Sequence, residues 1–99
     1  MNNIEIKKEK ICIIFIHGFC SGQEDWVRQR EFFQEKFTVI CPILRGHDGK
    51  NELDMPMSIE QLTNDCEKFV DDHKEKFFIF VGHSMGTRVA INLCRRHQE

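Results

Sequence analysis

No run in this 99-residue chain is both long enough and apolar enough to span a membrane. The most continuous, Ile11 to Ile16, has the length of a strand. A signal-peptide reading of that run, with Lys7, Lys8 and Lys10 as its basic leader, also fails. His17-Gly18-Phe19 follows where a small-residue cleavage site would be needed. Basic residues are not in excess: 14 Lys and Arg stand against 16 Asp and Glu, for a net charge of −2, so the footprint of a nucleic-acid binder is missing. No C-x-x-C pair occurs, and the cysteines (Cys12, Cys20, Cys41, Cys66, Cys94) are odd in number. That argues for reduced core thiols and a cytoplasmic setting, not a disulfide framework. Repeats, low-complexity tracts and linkers are lacking too. With 40% apolar and 30% charged residues, the chain reads as one small ordered domain, residues 1–99.

What is present alternates between two periods. Ile11-Cys12-Ile13-Ile14-Phe15-Ile16 is apolar on both faces, as a central strand of a parallel sheet is. A helix is expected from about Glu24 to Lys36, with Trp26, Phe33 and Phe37 near one face. Phe37 to Cys41 reads as a second strand, stopped by Pro42. Ser58 and Gln61 form a capping-box pattern ahead of Ile59, Leu62, Cys66, Phe69 and Val70, which recur at helical spacing. This helix should end near His73, and Phe77 to Val81 is the third strand, before a last helix. The order strand, helix, strand, helix, strand, helix implies an α/β fold: a parallel sheet with right-handed crossovers. The carboxyl ends of its strands share one edge, where such sheets bind ligands. His17-Gly18-Phe19, Arg45-Gly46-His47 and Gly82-His83-Ser84 all fall on that edge.

The third of these loops carries the chemistry. Gly82-His83-Ser84-Met85-Gly86 fits G-x-S-x-G, a pattern that puts a serine at the tip of a sharp strand-to-helix turn. The glycines leave room for the bend, and the free N–H groups of the helix start face any negative charge forming beside the serine. The arrangement suits attack on a carbonyl-type carbon.

Together the three loops resemble the α/β-hydrolase family. His17-Gly18-Phe19 is similar to its oxyanion loop, Arg45-Gly46-His47 to the R-G-H piece after its next strand, and Gly82 to Gly86 to its nucleophile elbow. The resemblance implies helices on both faces of the sheet, with the first strand between the other two. It makes Ser84 the nucleophile and the backbone N–H groups of Phe19 and Met85 the oxyanion hole. Where the family commonly has an acidic residue two before the arginine, this chain has Ile43. Asp48, Lys50 and Thr87 also depart from the usual residues.

The family takes its acid and its histidine from strands after the elbow helix. This sequence reaches only Arg95-Arg96-His97-Gln98-Glu99, so it resembles the amino-terminal part of a family member, an incomplete domain. The expectation is a serine hydrolase of an ester or similar small acyl substrate, truncated before its triad partners and nearly inactive alone. None of the histidines present is a good substitute base. His83 should point away from Ser84, His17 and His47 read as loop braces, and His73 and His97 as solvated helix ends. Arg88, four residues after Ser84, is a candidate substrate-binding residue. It is similar to an arginine in the menaquinone-pathway lyase branch of the family, which makes such a lyase the alternative reaction. A surface ion pair is the plainer role for Arg88. A third reading is a non-catalytic remnant that binds a partner through its open sheet edge. No metal or cofactor is expected, because His17, His47 and Asp48 lack compact ligand spacing. The expected partners are a small-molecule substrate and, through the exposed edge strand, a second copy of the chain.

Overall fold

Ile11–Ile16 is the most β-prone segment of the chain, and it forms the middle of a three-stranded parallel sheet. The computed structural model describes residues 7–18, 23–44 and 58–97. Within them β1 is Ile11–Ile16, α1 Val27–Phe33, β2 Thr38–Ile40, α2 Ile59–Asp71, β3 Phe77–Gly82 and α3 Met85–Arg96. The strand order is β2-β1-β3, so β1 does lie between the other two. Its register pairs Ile13 with Val39 on one side and Ile79 on the other.

Alternation sends successive β1 residues to opposite faces. Cys12, Ile14 and Ile16 enter the main core with Leu62, Cys66 and Val70 of α2 and Val89, Ala90 and Leu93 of α3. Burying a side chain of this size stabilises by roughly 1.5–3 kcal/mol. Phe15 faces the other way. Its ring centroid lies 5.0 Å from that of Trp26 and 6.2 Å from that of Phe33. Helices therefore cover both faces, α1 on one side and α2 with α3 on the other.

The α2 start is the capping box that Ser58 and Gln61 foretell. Gln61 N–H donates to Ser58 Oγ at 3.1 Å, and Ser58 N–H donates to Gln61 Oε1 at 3.4 Å. The α1 region is shorter than expected. Gln23–Trp26 is a 3₁₀ turn, and only Val27–Phe33 is α-helical. Trp26 occupies the N-cap position with no side-chain cap bond, and no α1 residue is fully buried. Neither a cap nor packing extends the helix.

Not every apolar side chain is in the core, nor is every cysteine the core thiol expected of it. Phe32, Phe77 and the Cys94 thiol are exposed. Cys12 and Cys66 are buried, and Cys41 is partly so; all four described cysteines are free. Burial pushes the Cys12 thiol up to about 11 and the Cys66 thiol to about 12, against 9.0 for an ordinary thiol. His73 and His97 do sit at helix ends, but both are engaged. His73 Nδ1 bonds the Phe69 carbonyl at 2.8 Å, and His97 Nε2 meets the Glu67 carboxylate. Arg96 joins the same carboxylate at 3.4 Å, tying α3 to α2. No helix among the described residues is long and apolar enough to cross a membrane.

Candidate active site

The sheet delivers β1 and β3 to the same edge side by side. Ile16 is in register with Gly82, and the His83 N–H donates to the Ile16 carbonyl at 3.1 Å. From there the chain must turn into α3 within two residues, and Ser84 takes the strain. It has φ 55° and ψ −118°, and no other non-glycine among the described residues has positive φ. Such backbone angles cost on the order of 1–3 kcal/mol and persist only where neighbours enforce them.

Those neighbours are glycines with no space to spare. A Cβ on Gly82 would lie 2.3 Å from the Gly86 carbonyl oxygen, and one on Gly86 would lie 2.2 Å from the Ile16 carbonyl oxygen. Strand and helix are thus packed backbone against backbone around Ser84. The turn closes with the Gly86 N–H on the His83 carbonyl at 2.9 Å and the Thr87 N–H on the Ser84 carbonyl at 3.0 Å.

Ser84 is exposed, and although it occupies the N-cap position of α3 its hydroxyl is not used as a cap. Met85 is the first residue of α3, so its N–H lacks an acceptor within the helix. Arg88 follows one turn later, on the Ser84 side of α3, exposed and in no ion pair among the described residues.

His17 is fully buried. Its Nε2 accepts the Leu44 N–H at 3.0 Å, which obliges Nδ1 to carry the proton, and Nδ1–H donates to the Gly18 carbonyl at 2.9 Å. It is a loop brace, as its sequence context suggests. Gly18 in turn lies against the elbow: a Cβ there would come within 3.1 Å of both the His83 carbonyl oxygen and Ser84 Cβ. The structure therefore brings Gly18, Ser84 and Met85 to one edge. Phe19, with Arg45, Gly46, His47, Asp48 and Lys50, lies outside the described residues.

No hydrogen bond joins the His83 ring to Ser84, and no cluster that could hold a metal occurs, both among the described residues. Two contributors escaped the sequence reading, Leu44 as the partner of His17 and Gly18 as the floor beneath Ser84. The apolar continuation Cys41-Pro42-Ile43-Leu44 past the end of β2 was the available signal for the first.

Comparison with known proteins agrees with this geometry. The model of the alpha/beta hydrolase family matches residues 13–97. Ethanol acetyltransferase 1 of Hanseniaspora uvarum is 31% identical over 80 residues, which are 80% of this chain and 24% of that one. Monoacylglycerol lipase ABHD6 of Bos taurus is 32% identical over 85 residues, 82% of this chain and 25% of that one. The structure of 1H-3-hydroxy-4-oxoquinoline 2,4-dioxygenase superposes with a TM-score of 0.77 at 26% identity, over 91% of this chain and 34% of that one. The chain thus spans about a quarter of the length of the acetyltransferase and of the lipase. A parallel sheet in the order β2-β1-β3, a strained serine between strand and helix, and a family match over nearly the whole chain lead to one assignment: this chain belongs to the alpha/beta hydrolase family.

Proposed function

We propose that this chain carries the nucleophile and the oxyanion hole of a serine hydrolase that acts on an ester or similar small acyl substrate. The observation that supports it most is Ser84: strained, exposed, uncommitted to its helix and flanked by the Met85 amide. A protein does not hold a serine at φ 55° for packing, since glycine would sit there without strain. The relatives fit, one named as an acetyltransferase and one as a lipase, both acyl chemistries.

In the proposed reaction Ser84 Oγ adds to the acyl carbon, forming a C–O bond while the carbonyl π electrons move onto oxygen. The N–H groups of Met85 and Phe19 meet that charge; losing one such donor typically costs on the order of a hundredfold or more in rate. Collapse expels the alcohol, which takes the proton that left Ser84, and water then hydrolyses the acyl ester. Arg88, exposed one turn along α3, would receive an anionic part of the substrate. The acid and the histidine that relay the proton belong, on this reading, to a longer polypeptide of which these residues are one part. The 99-residue chain alone then has little or no turnover.

A fluorophosphonate tests the nucleophile without needing turnover. At raised pH hydroxide takes the Ser84 proton, Oγ attacks phosphorus, a P–O bond forms and fluoride leaves. Intact-mass and peptide analysis should find slow, stoichiometric labelling at Ser84, abolished in Ser84→Ala. Labelling spread over other residues, or none, would refute the proposal. Rapid labelling at neutral pH would instead reveal a base within the chain.

A further inference from the structure

We draw no further inference here: the strongest candidate, the solvent-facing stripe of Arg88, Ile91 and Arg95 along α3, carries nothing, because nothing in the structure shows what covers it.

Discussion

Strands β1 and β3 have the same length and almost the same chemistry, yet they live in different surroundings. ICIIFI and FFIFVG carry no charge and no interruption. Five of the six β1 residues are buried, whereas Phe77 and Ile79 of β3 are 55% and 48% exposed. Register explains the contrast. Ile13 and Ile79 are neighbours on one face of the sheet, but among the described residues β1 is paired with strands on both sides and β3 on one. The α1 side of the sheet is covered over Phe15 by Trp26 and Phe33, and that cover does not extend to Ile79. Apolarity records that a strand is meant to be buried; position in the sheet decides whether it is. β3 also lacks the lysine, proline or bulge with which natural edge strands are guarded. Its sequence is that of an interior strand, although among the described residues it lies at the edge.

The sharpest way to break the contrast is to separate β1 from α3. Gly86→Ala puts a Cβ 2.2 Å from the Ile16 carbonyl oxygen, a clash of side chain with backbone that no rotamer relieves. We expect loss of cooperative folding, seen as the disappearance of a sigmoidal thermal transition. Thr87→Ala, one residue along on an exposed position, should leave the transition nearly unchanged. A sharp transition in Gly86→Ala would mean that strand and helix are not in backbone contact.

Next in size is the paired truncation. Ile14→Ala removes a fully buried side chain from β1 and should cost about 2–5 kcal/mol in urea unfolding. Ile79→Ala removes the same atoms from β3 and should cost less than about 1 kcal/mol, because nearly half of that side chain is already in water. Equal costs would show that the β3 edge is covered in solution.

Much of this arrangement could be read from the residues. The short uninterrupted apolar runs gave all three strands, and Ser58 with Gln61 gave the start of α2 to the residue. G-x-S-x-G located the bend because only glycines fit where backbone meets backbone. The strand order entered through family resemblance, since alternating strands and helices fix direction but not sequence across the sheet. The exposure of Phe32, Phe77 and Cys94 was not legible, because a residue's polarity does not say what stands opposite it. Nor was the shortened α1, where an acidic start looked helical but lacked the cap and the buried stripe that would have extended it. His17 was read as a brace, but its partner Leu44 is 27 positions away, a contact no local pattern encodes.

The cysteines extend the comparison to pH. Cys66 lies in the core beneath β1, and burial raises its thiol to about 12 from 9.0, while Asp65 and Glu67 push the same way. Below pH 9 the thiol is protonated in both the folded and the unfolded chain and does not change stability with pH. Between about 9 and 12 the unfolded chain loses that proton and the folded chain keeps it, so stability falls as pH rises. Cys66→Ala should lower stability at every pH but flatten the alkaline decline. Cys94→Ala, on the exposed face of α3, should leave the decline as steep as before. Denaturant melts at several alkaline pH values measure both slopes; identical slopes in parent and Cys66→Ala would show that Cys66 titrates as freely as an exposed thiol.

The smallest effect on stability should accompany the clearest effect on behaviour. Under a two-fold axis perpendicular to the sheet, β3 can pair antiparallel with its own copy, Ile79 opposite Ile79, Phe77 opposite Val81 and Phe78 opposite Phe80. Like then meets like along the strand, and the backbone groups of the edge find partners. A groove of about 650 Å³ beside this edge, lined in part by Val70, Phe78 and Phe80, leaves room for the partner's rings. We therefore propose self-association through β3. Ile79→Lys places a charge on that edge at a half-exposed site, so urea unfolding should shift by no more than about 0.5 kcal/mol while the chain changes from dimer to monomer in sedimentation. Ile91→Lys, on an equally exposed position of α3, is the control and should remain dimeric. A parent chain that sediments as a monomer at every concentration would dispose of the dimer. A dimer in Ile79→Lys would move the contact to another face, and the apolar edge of β3 would then need a different explanation.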